Sequence, residues 1–420
     1  MDSNLGCCGG SGRGRLDSMT LDTSSFPAFL RSLNLDGTPV TTQSGQMIAG
    51  PPAPVFEAAL RLGFGPQILD TPHNRSILAN LGIAPELALV VAQRLRSRSQ
   101  WRQVWEELAR PHLTALESAH AQGDKERTVR EIQNALGMIN MAYGGDGYYI
   151  HTPMKDKREM TRLTERLYRL MRELSGERIE RIAVTHPHGT TTGLLHFPRP
   201  VDGTGRWPAL LALHPISGDK DSFDFTLAPF REAGYATFCI DLPAHGENFD
   251  GPRLQPDDEV AGAAALEMLA AHPEIDANRL GVMGGSLGAF FAQRTAAVSP
   301  LVKVCLAYAS PFDAGKGLPE AVFGIQDTFA HVIGAPTLEA SFEMAKPFHL
   351  QAAVPQIRCP VALVHGTLDH ICDFTATYEI ARRVKSSISV FPLVGVNHEA
   401  AQPGTAGLAG PGIEWLKGVL

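Results

Sequence analysis

The sequence predicts an α/β fold, a doubly wound and mostly parallel sheet preceded by an N-terminal helical cap domain. Three observations carry that expectation. Residues 54–174 read as one helix after another, six apolar segments then alternate with helical stretches, and the chemically distinctive residues cluster where those segments end. Strands of unbroken apolar character are buried on both faces, and helices that link such strands make them parallel.

A chain of 420 residues accommodates two or three domains of ~100–200 residues each. Its 44% apolar and 19% charged content is that of a soluble globular protein. A net charge of -7 without a basic stripe argues against a nucleic-acid partner. No run approaches the ~18 consecutive apolar residues of a membrane span. The Gly/Ser-rich stretch 1–15 has no apolar core of a signal peptide, so secretion is not expected. The six cysteines, Cys7, Cys8, Cys239, Cys305, Cys359 and Cys372, form no C-x-x-C pair. They read as free thiols in a reducing, cytoplasmic setting. Cys7 and Cys8 fit a disordered leader better than a lipidation signal, and Met19 offers a second candidate start.

Taken in order, residues 1–50 are rich in Gly, Ser, Thr and Pro and read as a flexible or loosely packed leader. The helical domain is expected over 51–176. Pro85 opens a run of helix formers through Leu95. Trp101, Val104, Trp105, Leu108, Leu113 and Leu116 recur at three- and four-residue steps, with a kink expected at Pro111. Asp124 is the expected N-cap of a helix whose face carries Ile132, Ala135, Leu136, Ile139 and Tyr143. Leu163, Leu167, Leu170 and Leu174 mark the next. Such stripes are core seams rather than a cofactor box.

At Gly176 the period shortens, and a catalytic domain is expected over 177–420. Arg178–Val184 and Thr190–Phe197 read as a hairpin about Pro187-His188-Gly189. The strands that follow are Ala209–Leu213, Tyr235–Asp241, Leu280–Met283, Val302–Ala309, Val361–His365 and Ile388–Leu393. The helices between them are expected at Thr226–Ala233, Asp257–Ala271, Leu287–Ala297 and Thr375–Val384. An insertion is expected over 311–355. Ligands of such sheets bind beyond the carboxyl ends of the strands.

The loop after the third of these strands is the most informative. Leu280–Met283 runs into Gly284-Gly285-Ser286-Leu287-Gly288, and an Ala-rich helix follows at once. Gly-x-Ser-x-Gly between strand and helix is a nucleophile elbow, a sharp turn that leaves the serine Oγ exposed above the sheet. The flanking Gly284 and Gly288 avoid Cβ clashes there. The other strand-end loops carry His214-Pro215-Ile216-Ser217-Gly218, His245-Gly246, Gly366-Thr367-Leu368-Asp369 and Asn397-His398.

Taken together, those loops resemble an α/β-hydrolase, in which the triad runs Ser, then acid, then His. The resemblance covers residues 178–420. More weakly, from about Pro85 onward, the chain resembles the group containing 2,6-dihydroxypseudooxynicotine hydrolase, fungal polyketide-shortening hydrolases and the fermentation-respiration-switch esterases. It implies Ser286 as nucleophile, His398 as base and then acid, and Asp369 as the carboxylate that orients the imidazole. Asp373 and His370 are the decoys beside Asp369. The oxyanion hole would use the backbone N–H groups of Leu287 and Ile216, each worth ~2.7–4 kcal/mol of barrier. His214 and His245 read as loop-ordering residues, Asp241 as a strand-end cap.

The nicotine-pathway members of this group are understood to use a further glutamate in the loop after the first long strand. That loop here ends in Asp219 and has no glutamate. Ser217, Asp219 and His214 are therefore the additional candidates. Asp221 is a weaker one, and a solvated role for either aspartate stays open. His186 and His188 mimic a metal pair but lie in a Pro/Gly turn without a third ligand, so no metal or organic cofactor is expected.

The expected function is hydrolysis of a small molecule at an ester, a thioester or the carbon–carbon bond of a β-diketone or polyketide-like ketone. Phe312, Phe323, Phe329, Phe342, Phe348 and Met344 of the insertion fit either an aromatic pocket lining or plain core packing. The resemblance also implies a homodimer through the helical domain. An acyltransferase shares the triad. A propeller-bearing peptidase is disfavoured by the helical N-terminal half, and a non-catalytic binding protein by the intact triad.

Overall fold

The computed structural model describes residues 19–21, 53–70, 75, 78, 83–144, 154–198, 206–321, 323–398 and 409–420. Strand β1 (Met19–Leu21) opens it and pairs antiparallel with the last strand, Met19 opposite Val390. Three residues of the expected leader thus take a place in the sheet. The rest of residues 1–50, Cys7 and Cys8 included, lies outside the described residues.

The helices α1 (Ala53–Arg61), α2 (Gly65–Leu69), α3 (Leu87–Arg94), α4 (Trp101–Ala121), α5 (Lys125–Gly144) and α6 (Met154–Ser175) come next. Helix α4 is a single helix that contains Pro111. Asp124 accepts the backbone N–H of Arg127 and so caps α5 (3.0 Å). Trp101, Trp105, Leu116, Ile132, Leu136, Ile139, Leu167 and Met171 form their shared core. The Trp101 indole reaches the Met141 carbonyl at 2.8 Å, satisfying its one buried donor.

The sheet-bearing half begins with the hairpin β2 (Ile179–His186) and β3 (Gly189–His196), paired without a bulge from Ile179–His196 to His186–Gly189. Then follow β4 (Trp207–Leu213), α7 (Lys220–Phe225), α8 (Ala228–Glu232), β5 (Ala236–Ile240), α9 (Glu259–Ala271), β6 (Ile275–Gly285), α10 (Leu287–Val298) and β7 (Val304–Tyr308). The chain closes with α11 (Ala314–Gly317), α12 (Phe323–Val332), α13 (Leu338–Met344), β8 (Val361–Gly366), α14 (Thr375–Ala381), β9 (Ile388–Leu393) and α15 (Ala409–Val419). The helix expected at Thr226–Ala233 is the shorter α8, with Pro229 in its first turn, and a separate helix, α7, precedes it with Asp219 as N-cap.

Among the described residues the sheet has nine strands in the order β1-β9-β8-β7-β6-β4-β5-β3-β2. All neighbours from β5 to β9 are parallel, and the hairpin and β1 add antiparallel edges. Strands β5, β7 and β8 are buried along their whole length, as unbroken apolar runs require. Because β5 lies to one side of β4 and β6 to the other, the order reverses there. A crevice opens at that point above the carboxyl ends of β4 and β6.

The insertion carries its aromatic residues inward. Phe329 and Phe348 are buried edge to face at 5.2 Å, and Phe348 stands 6.3 Å from Phe290 of α10. Phe312 is half-buried under the Arg383 guanidinium. Core packing therefore accounts for Phe312, Phe329 and Phe348; the Phe323 side chain lies outside the described residues.

Candidate active site

Strand β6 and helix α10 meet at Ser286, whose φ of 54° and ψ of -119° are unusual for any residue but glycine. The turn is held by two backbone bonds, Ser286 N–H to Tyr308 C=O (2.8 Å) and Phe290 N–H to Ser286 C=O (3.1 Å). Close approach explains the glycines. A Cβ on Gly284 would lie 2.3 Å from the Gly288 backbone, and one on Gly288 only 1.9 Å from the Leu213 carbonyl. Leu287 is the first residue of α10, so its N–H is free of the helix ladder and points with the helix N-terminus.

Across the crevice, the loop after β4 holds Ile216. Its two flanking peptides are pinned by buried histidines. The Leu242 N–H donates to His214 Nε2 at 2.9 Å, which places the His214 proton on Nδ1, and Nδ1–H donates to the Pro215 carbonyl at 2.8 Å. A trans peptide points its C=O and N–H in opposite directions, so fixing the Pro215 carbonyl fixes where the Ile216 N–H aims. His245 Nε2 stands 2.9 Å from the Ile216 carbonyl. Burial holds the pKa of both rings below the ordinary value.

The acid and the base come from adjacent loops after β8 and β9. Those loops are laced together: Leu368 N–H bonds Val396 C=O, Thr367 N–H bonds Leu393 C=O, and Gly395 N–H bonds Thr367 Oγ1, each at 3.0 Å. A Cβ on Gly366 would meet the Val396 carbonyl at 2.3 Å, so only glycine allows the approach. Asp369 is thereby brought to His398, Oδ2 to Nδ1 at 2.7 Å, with both side chains buried. Its Oδ1 accepts the N–H groups of Ile371 (2.9 Å) and Cys372 (2.8 Å), and His365 Nε2 lies 3.1 Å from Oδ2. Burial opposes ionisation of Asp369, but the His398 charge and the bonds from His365 and His398 outweigh it and hold the carboxyl below its usual range. Burial likewise opposes the His398 imidazolium; Asp369 and Cys372 overcome that and raise its pKa well above normal. Asp373, the decoy, instead accepts the Thr375 N–H two residues on, in the turn that leads into α14.

The other candidates are placed differently. The Asp219 carboxylate is half-buried and taken up by a capping box with Ser222 at the start of α7. Both ring nitrogens of His214 are committed to backbone, and Ser217 is exposed on the turn. Asp221 is buried in ion pairs, which excludes a solvated role. Asp241 orders the next loop as expected, accepting the N–H groups of Lys220 and Glu247. His188 is paired with Asp258 at 2.7 Å, and no cluster of metal-ligating residues occurs among the described residues. No helix there is long and apolar enough to cross a membrane.

Sequence reasoning missed Cys372. Its thiol lies 4.0 Å from Ser286 Oγ and bonds His398, while its backbone is clamped by Asp369 and by His365 Nε2 on its carbonyl (2.8 Å). Position three residues after the acid was the available signal. Burial pushes the thiol above its usual 9.0, and only the thiolate alkylates. N-ethylmaleimide is therefore expected to inactivate the protein slowly at neutral pH and faster as pH rises past 9.0. The Cys372→Ala variant should resist, checked by residual activity and peptide mass mapping; equal sensitivity in that variant would place the reactive thiol elsewhere.

Comparison with known proteins bears on the fold. Residues 210–404 match the model of the alpha/beta hydrolase family. The 2,6-dihydropseudooxynicotine hydrolase of Paenarthrobacter nicotinovorans is 27% identical over 181 residues, 42% of this chain and 49% of that protein. Hydrolase pyiE of Pyricularia grisea is 27% identical over 237 residues, 50% of this chain and 49% of its own. The matched stretch thus spans about half the length of each of these relatives. The crystal structure of 2,6-dihydroxy-pseudo-oxynicotine hydrolase superposes with a TM-score of 0.69 over 82% of this chain and 95% of its own, at 20% identity. Strand order, the elbow turn and the match over residues 210–404 converge on one assignment: the chain has the α/β-hydrolase fold.

Proposed function

We propose that the protein is a serine-dependent hydrolase of a small acyl or β-dicarbonyl compound. The observation that carries this reading is the strained elbow of Ser286 beside a buried Asp369–His398 pair, with Cys372 in contact with both Ser286 and His398. His398 takes the Ser286 proton as Oγ attacks the carbonyl carbon. The N–H groups of Leu287 and Ile216 stabilise the oxyanion. The tetrahedral species collapses, His398 gives its proton to the leaving group, and water then releases the acyl group by the same steps. Asp369 steadies the imidazolium throughout.

An ester or thioester needs no acid besides His398. That suits a site in which Asp219 and His214 are committed to backbone. A second reading, cleavage of a ketone carbon–carbon bond, is favoured by the relatives named for a pseudooxynicotine. A cytoplasmic homodimer joined through the helical domain belongs to the same reading.

A fluorophosphonate is expected to label Ser286, with His398→Ala blocking the reaction; a label on another residue would reassign the nucleophile. Product masses from matched aryl esters, thioesters and β-diketones then separate the two chemistries.

A further inference from the structure

Helix α6 turns Glu165, Tyr168 and Arg172 toward the catalytic half, a spacing that shares one helical face. They meet a buried ionic hub at the start of α7. The Lys220 ammonium has no exposure and stands 2.7 Å from Asp221, 3.0 Å from Glu247 and 3.2 Å from Asp241. Arg172 closes on the other oxygen of Asp221, and Arg181 of β2 closes on Glu247. Asp241 accepts the Lys220 N–H through one oxygen (2.8 Å) and the Glu247 N–H through the other (3.0 Å). Burial raises the Asp241 pKa, and the charge and backbone N–H of Lys220 oppose it. The hydrolytic steps derived above use none of these groups.

Docking α6 would not by itself need such a hub. Arg158 of α6 already forks onto Asp250 at 2.6–2.9 Å near the surface. What distinguishes the hub is its place in the chain. Lys220 follows Ile216 by four residues, and the turn between them is stiff. The Gly218 N–H bonds the Pro215 carbonyl at 3.0 Å, and the Asp219–Ser222 capping box fixes the next step. With His214 and His245 pinning the peptides around Ile216, a shift of Lys220 has little slack in which to dissipate.

We propose that Arg172, acting through Asp221 and Lys220, is a positioning residue that sets the Ile216 amide for the oxyanion, which makes the helical region part of the catalytic apparatus. The proposal rests on the serine-hydrolase reading. Two peptide planes carry the effect, one at each side of Ile216, and an error of about an ångström in such a donor costs up to about a hundredfold in rate.

The test uses the full chain, an aryl ester and an aryl trifluoromethyl ketone. Ser286 Oγ adds to the carbonyl carbon of that ketone as its proton passes to His398, and the C=O π electrons move onto oxygen, placing the resulting alkoxide at the same amides. Arg172→Gln is expected to lower kcat on the order of tenfold, with KM within about twofold, and to weaken ketone inhibition by the same factor. Arg172→Lys should recover most of the loss, and Arg158→Gln should match the wild type. Asp221→Asn, which keeps shape and removes charge, is expected to repeat the Arg172→Gln pattern and decides the matter if that variant does not fold. Wild-type kcat and inhibition in both Arg172→Gln and Asp221→Asn would overturn the proposal, and so would an equal loss in Arg158→Gln. Failure of fluorophosphonate to label wild-type Ser286 would instead sink the hydrolase reading.

Discussion

Ser286→Ala is expected to lower kcat for an aryl acetate by about 10⁶-fold, the size of loss found when a triad serine is removed. A residual rate above that of water should survive, because the Leu287 and Ile216 amides do not depend on the hydroxyl. The fold should be untouched. Oγ has only a 4.0 Å approach to the Cys372 thiol to lose, and the backbone bonds of the turn involve the Ser286 N–H and C=O alone. Steady-state kinetics with a thermal melt check both halves. An active variant would remove Ser286 from the mechanism, and an unfolded one would make the loss uninformative.

Lys220→Met carries the largest expected cost in stability. The substitution leaves Asp221 and Asp241 buried, and Glu247 half-buried, around an absent ammonium. Removing one partner of a buried ionic group costs about 3–5 kcal/mol, which lowers the thermal midpoint by roughly 10 °C. The exposed Arg158–Asp250 pair sets the contrast, since breaking it should cost under ~1 kcal/mol. The pH dependence has a definite sign. Burial opposes the Glu247 charge, but Arg181 and Lys220 outweigh it and bring the pKa from 4.5 to about 2. A lowered pKa contributes stability above the unfolded value and loses it as pH falls through the folded one. The share of the gap between wild type and Lys220→Met that Glu247 carries should therefore hold at neutral pH and narrow as pH falls below 4.5. A gap that stayed constant down to pH 2 would mean that Lys220 does not hold this charge.

The parts of the molecule that were legible in the chain are those written in local pattern. Unbroken apolar runs marked β5, β7 and β8, and three- and four-residue steps marked α4 and α5. A glycine-flanked serine between strand and helix marked the turn at Ser286. Asp369 stood out from Asp373 because of the His-Gly before it. The hub was not legible, because Arg172 and Asp221 are distant in sequence and a surface helix with several arginines looks the same whether one of them is buried or not. Cys372 escaped for a related reason: its place three residues after Asp369 carries meaning only once that loop is folded around the acid. The insertion aromatics were ambiguous because a pocket wall and a core seam use the same residues. The contacts of Phe348 with Phe329 and Phe290 separate the two. Met19–Leu21 was read by composition as leader, since three residues are too few to show alternation.

The backbone at Ser286 has a consequence for heat resistance. Among the described residues, Ala244, Ser286 and Ala309 are non-glycine positions with positive φ, and each lies in a loop just past the carboxyl end of a parallel strand. Such conformations cost on the order of 1–3 kcal/mol apiece. Glycine would relax them, less its own greater freedom in the unfolded chain. Ser286→Gly should accordingly melt about as high as the parent or a few degrees higher, while its hydrolysis disappears. A melting point that fell instead would show the turn to be at ease. Natural selection for reaction and engineering for durability then pull on this one rim of the molecule in opposite directions.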